Sequence, residues 1–147
     1  MAIVLHPGQG TSLAARGSEM LFKAVGATTG GRFSLMERSL PPHGKPPAVH
    51  RHPATVEAFL VLEGTLVFSL DDERSTLGVG GFLIVPEGVG HTFGNEGDVL
   101  ARTLIIHAPA LDAYFEDLAA LWAHPTPPTP AEELTIMRRH GLEPMGG

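Results

Sequence analysis

His50 and His52 stand two positions apart, and Glu57 follows five positions after His52. On an extended chain, residues i and i+2 project to the same face, so both imidazoles enter one space. Pro53-Ala54-Thr55 can turn the chain, and Glu57 opens an apolar run that continues to Glu63. A hairpin-like return would bring the Glu57 carboxylate alongside the two rings. By itself the His-x-His pair is a weak signal, because a chain with 8 histidines yields one such pair by accident.

The elements that must position these residues read as short strands broken by turns, from about Leu21 to His107. Runs at 32–40, 57–63, 65–71, 82–85 and 99–107 are β-compatible, and Asp71-Asp72-Glu73-Arg74 reads as a solvated hairpin end. The 18 Gly and 13 Pro punctuate these runs, as in an all-β domain rich in turns. After Pro109 the period changes to that of a helical face carrying Leu111, Tyr114, Phe115, Leu118, Leu121 and Trp122. Thr129, Pro130 and Glu132 form a capping box for a second short helix ending near His140-Gly141. The expected organisation is a β-barrel over residues 1–109 and a helical extension over 110–147 that packs on it.

Composition narrows the function classes. A chain of 147 residues is one ordinary domain. Its net charge of −6 and scattered Lys and Arg argue against a nucleic-acid partner. No apolar run is long enough to span a membrane, and the N-terminal residues do not read as a secretory signal. Cytoplasmic residence is therefore the default expectation. Without cysteine there is no disulfide, no zinc–thiolate site and no thiol nucleophile.

The wider spacing carries the decisive signal. Gly44-x5-His50-x-His52-x4-Glu57-x6-Gly64 is followed by Gly80-x5-Pro86-x-Gly88-x2-His91-x3-Asn95. The second set alone should arise by chance on the order of once in ten thousand such sequences. Both segments resemble the two signature motifs of the cupin superfamily, with no anchor position departing from the pattern. The wording around them resembles single-domain bacterial cupins of the quercetin-dioxygenase-like, or cupin 2 conserved barrel, group: Gly30-Gly31-Arg32-Phe33, Phe59-Leu60-Val61-Leu62-Glu63-Gly64 and Val85-Pro86-Glu87-Gly88-Val89. The fold the resemblance implies is all-β, a double-stranded β-helix or jelly roll.

The resemblance also implies one divalent metal held by His50, His52, Glu57 and His91. Three neutral imidazoles and a carboxylate suit Fe, Mn, Ni, Co, Cu or Zn rather than Mg or Ca. The glycines and Pro86 read as fold elements: Gly64 and Gly88 as turn positions with positive φ, Pro86 as a preset turn before His91.

Strand parity selects a candidate wall. If Glu57 faces inward, so do Phe59 and Val61; if His91 does, so does Phe93. These three are the expected substrate-binding side chains, with no Arg- or Lys-lined surface beside them. His107 shares a parity with Thr103 and Ile105, and Arg102 shares the other with Leu104 and Ile106. Parity alone leaves open which set faces inward. The resemblance implies a metal-dependent dioxygenase acting on a small phenolic or enol-type substrate, with Glu57 as ligand and general base. The alternatives are a metal-dependent isomerase, cyclase or lyase, or a non-catalytic small-molecule-binding cupin. A homodimer is expected, because exposed jelly-roll edges invite pairing.

Overall fold

The computed structural model describes residues 2–44 and 46–145. The chain opens with a hairpin of β1 (Thr11–Ala15) and β2 (Ser18–Ala24), turned by Arg16 and Gly17 at φ 54° and 74°. A single helical turn, α1 (Gly26–Thr29), leads to β3 (Ser34–Leu40). Then come β4 (His50–Arg51), β5 (Val56–Glu63), β6 (Leu66–Leu70), β7 (Glu73–Leu77), β8 (Phe82–Val85), β9 (His91–Gly94) and β10 (Ala101–Ala108). Two helices, α2 (Asp112–Trp122) and α3 (Pro130–Arg139), precede a two-residue strand, β11 (Glu143–Pro144).

The strands form two antiparallel sheets. One runs β1-β2-β3-β10-β5-β8 and the other β11-β4-β9-β6-β7. Alternation fixes which side chains meet between them. Ser34, Met36, Arg38 and Leu40 of β3 are buried, and the intervening Leu35, Glu37 and Ser39 are partly exposed. The same alternation buries Glu57, Phe59 and Val61 on β5, and Thr103, Ile105 and His107 on β10. Phe59, Phe68 and Phe93 pack ring against ring at the centre, with Phe59 4.9 and 5.0 Å from the other two.

The fold is the expected all-β barrel with a short helical tail. The strands begin earlier than the apolar pattern indicates, at Thr11 rather than near Leu21, because Thr-Ser-Leu-Ala-Ala carries almost no alternation. β11 also lay below the threshold of pattern reading: it is two residues long and contains a proline. The second helix has the expected start, with Thr129 Oγ1 accepting from the Glu132 amide and Glu132 Oε1 accepting from the Thr129 amide. Gly141 follows its end at φ 80°. Helix α2 packs on β1, and α3 packs on α2 and β11. No helix among the described residues is long and apolar enough to cross a membrane.

One motif glycine shows why its type is required. Gly64 has φ 70°, and a Cβ there would lie 2.6 Å from the Leu100 carbonyl oxygen. Both the dihedral and the approach exclude a side chain.

Candidate metal centre

The two sheets bring different donors to one point in the interior. β4 and β9 pair His50 directly with His91. On the opposite sheet, β5 and β10 pair Glu57 with His107. His52 lies just beyond β4, where its carbonyl accepts from the Gly88 amide at 2.9 Å. The Gly88 turn, at φ 81°, thus holds the second histidine in place although the strand has ended. All five side chains are buried, none more than 5% exposed.

Backbone carbonyls set the tautomers. His50 Nδ1 donates to Ala48 O at 2.7 Å and His91 Nδ1 donates to Val89 O at 2.9 Å. A carbonyl only accepts, so in each neutral ring the proton sits on Nδ1 and Nε2 presents a bare lone pair to the interior. His50 Nε2 lies 3.2 Å from His52 Nε2. His91 Nε2 lies 3.3 Å from Glu57 Oε1, yet neither atom has a hydrogen-bond partner. Glu57 Oε2 accepts from His107 Nε2 and stands 3.5 Å from His52 Nε2.

Lone pairs that face one another inside a protein repel unless a cation lies between them. Two donors bound at right angles to one transition ion are about 3 Å apart, since each bond is roughly 2.0–2.2 Å. The observed separations match that spacing. His50, His52 and His91 form one group able to hold an ion, and His52, Glu57 and His107 form an overlapping one. The orphaned His91 Nε2 and Glu57 Oε1, the carbonyl-locked tautomers and the nitrogen-rich donor set therefore fit a divalent transition ion.

The electrostatics point the same way. Burial, reinforced by His91, lowers His50 to about 4. Burial likewise lowers His52 to about 3, against the attraction of Glu57. Both rings are therefore neutral, as ligation requires. Burial opposes the charge on Glu57, but His107 and the hydrogen bonds around the carboxylate outweigh it, leaving the group well below the ordinary carboxylate range. Burial lowers His91, and Glu57 with the Val89 carbonyl more than reverses this.

His50, His52, Glu57 and His107 line a cavity of about 20 Å³, room for one or two waters or a small ion. Its wall differs from the sequence expectation. Phe93 lines it, but Phe59 and Val61 do not; they face inward as parity requires and are consumed by the aromatic core. In their place stand Arg16, Arg38, Tyr114 and Phe115, so the wall is cationic as well as apolar. The expectation of a wall without arginine is thereby corrected. Arg38 was legible, since the parity that buries Met36 and Leu40 buries it too. Arg16 was not, because it arrives on the unread β1–β2 turn.

The last strand also resolves. His107 faces the centre at 1% exposure, and Arg102 faces outward, where it pairs with Glu63 at 3.3 Å. Asn95 serves the loop after β9: its amide nitrogen donates to Leu40 O and Val99 O, and its oxygen accepts from the Gly97 amide. Among the remaining histidines, His43 pairs with Asp98 and His140 with Asp117, away from the centre.

Comparison with known proteins agrees with this architecture. Residues 36–107 match the cupin domain family, Cupin_2. The protein SchB of Streptomyces halstedii is 33% identical over 92 residues, which are 63% of this chain and 66% of that protein. The chain thus spans just under two thirds of that relative. A cupin-superfamily sugar phosphate isomerase from Silicibacter pomeroyi superposes with a TM-score of 0.56 at 27% identity, over 67% of this chain and 68% of the other. The polyketide cyclase RemF from Streptomyces resistomycificus superposes with a TM-score of 0.63 at 22% identity, over 74% and 80% of the two chains. Both signature segments lie inside residues 36–107, the part of the chain that matches the cupin domain family, and the histidines and carboxylate of those segments converge in the interior.

Proposed function

We infer that this chain is a metal-dependent enzyme that moves a proton on a small enolisable substrate, as an isomerase, cyclase or lyase does. One observation carries the reading: Glu57 turns one oxygen to the metal-binding imidazoles while the other accepts from His107 Nε2. A bound divalent ion supplies Lewis-acid polarisation of a substrate oxygen. Glu57 would take a proton from the carbon beside the substrate carbonyl, and His107, hydrogen-bonded to Glu57, would hold or return a proton at Nε2. Tyr114 lines the same cavity, and burial, opposed by Arg16 and Arg38, keeps its hydroxyl protonated above the ordinary range. On this reading its hydroxyl donates to the developing oxyanion.

The isomerase and cyclase among the structural relatives support this class, the cyclase through the fold alone. A dioxygenase acting on an apolar phenol draws less support, because the cavity wall carries two guanidinium groups. The test is solvent exchange. Protein loaded with Zn(II) or Mn(II) is incubated in D2O with a panel of α-hydroxy ketones and β-keto acids while dissolved oxygen is recorded. Metal-dependent deuterium incorporation without oxygen uptake, lost in Glu57→Gln, supports the reading. Stoichiometric oxygen consumption would instead establish the dioxygenase.

The assembly proposed is a homodimer. Phe82 and Ile84 are 58% and 53% exposed on β8, the edge of the larger sheet. They continue two cross-strand rows, Phe82–Leu60–Leu104 and Ile84–Ala58–Ile106. An apolar sheet face ending in an open edge supports pairing with a second copy of the chain.

A further inference from the structure

The cavity wall holds two buried guanidinium groups, of which one has an ion-pair partner among the described residues. Arg16 is 8% exposed and Arg38 4%. Arg16 Nε donates to Glu133 Oε1 at 3.0 Å, but its Nη2 is buried with no hydrogen-bond partner. Arg38 Nε donates to the neutral Ser18 Oγ at 2.9 Å, and its guanidinium lies 5.2 Å from the Phe93 ring centre and 6.0 Å from that of Phe115. No ion pair among the described residues engages Arg38, and Glu57 is committed to the histidine cluster. Burial, with the repulsion of Arg16, brings Arg38 down to about 10, so it remains charged at neutral pH.

A buried guanidinium nitrogen without an acceptor is costly, and a fixed fork of N–H donors matches a planar oxyanion. Glu133 engages Arg16 through Nε, and the buried Nη2 has no acceptor although Arg16 lines the cavity. We propose that Arg16 and Arg38 form an anion-binding subsite beside the metal centre that takes the carboxylate of an organic acid. The subsite deepens the proposed function, resting on it only for the ligand's being the enzyme's substrate. Phe93 and Phe115 line the same cavity, and the arginines would orient the ligand by its charge.

Acetate and its near-isostere acetamide are the probes, since they match in shape and differ in charge. They are titrated into metal-free protein, so that no ion contributes to anion preference, and the Arg16 Nε–H signal is followed by 15N–1H NMR. Acetate should bind at least tenfold more tightly than acetamide and shift the Arg16 signal. The double variant Arg16→Gln/Glu133→Gln removes the ion pair without stranding a charge, and it should cut the preference at least fivefold. Arg38→Lys keeps the charge but loses the fork, and a comparable loss is expected there even if the double variant fails to fold. Equal affinity for the two probes in the wild type would overturn the subsite, as would full preference retained in the folded variants. The metal reading is scored separately by metal content: protein that binds no metal yet prefers acetate refutes the proposed function and keeps the subsite.

Discussion

Glu57 and His107 face each other across β5 and β10, and His107 Nε2 donates to Glu57 Oε2 in the barrel interior. The same carboxylate turns Oε1 towards His91, so one side chain joins the His50, His52 and His91 cluster to the imidazole of His107. Removing His107 should spare the His50, His52 and His91 donors. His107→Gln is therefore expected to retain most of the metal content while solvent exchange falls about 100-fold, the lower range for a lost general acid or base. A variant that exchanges at the wild-type rate would remove His107 from the reaction.

The metal-free protein should lose stability as pH falls below neutrality. His50 and His52 bind protons less readily when folded, at about 4 and 3, than the ordinary 6.5 of the unfolded chain. Their neutral state thus contributes stability fully above pH 6.5, and that contribution is lost as pH falls towards 4 and below. Glu57 adds to the loss at still lower pH, and His91, whose affinity for a proton is raised, acts in the opposite sense. The drop between pH 7.5 and 5 is expected to be on the order of 2 kcal/mol per ring. Urea denaturation at the two values measures it, and His50→Gln should flatten the profile. Equal midpoints for the wild type would contradict the burial of neutral rings.

Glu133 fastens the helical tail to the barrel. It accepts from Arg16 of the β1–β2 turn and from Trp122 Nε1 of α2. Glu133→Ala strands the Arg16 charge, and a loss of about 3 kcal/mol is expected. Trp122 is the only tryptophan in the chain, so its fluorescence reports the tail directly. Unchanged emission and stability would show that the tail is held by apolar packing alone.

The proposed dimer predicts a simple reversal. Phe82→Asp/Ile84→Asp places two charges on the exposed β8 face without touching the buried core. Light scattering should change from twice the mass of one chain to a single chain, with the circular dichroism retained. A wild-type monomer at micromolar concentration would end the proposal.

Much of the barrel and the donor set was legible because both rest on local rules. Apolar runs bounded by Gly and Pro placed β5, β8 and β10, and the motif spacing singled out His50, His52, Glu57 and His91, which the fold brings together. Capping chemistry placed the start of α3 at Thr129. What escaped depends on tertiary closure. Nothing local tells that the β1–β2 turn folds over the cavity with Arg16, or that Glu133 arrives from a helix 117 residues later to meet it. Phe59 and Val61 show the converse limit: parity gives the inward face but not how deep beneath the cavity a side chain lies. For His107, the parity of β10 needed a neighbour, and its pairing with Glu57 supplies it.

The most direct test of the account is the metal content of purified protein by elemental analysis, for wild type and for His50→Ala, His52→Ala and His91→Ala. A divalent transition ion held by these rings and Glu57 predicts near one equivalent per wild-type chain. Each variant should lose at least tenfold in affinity, with the barrel still folded by circular dichroism, since the core stands on Phe59, Phe68 and Ile105 rather than on the ion. Full occupancy in the folded His50→Ala and His91→Ala proteins would contradict the centre described.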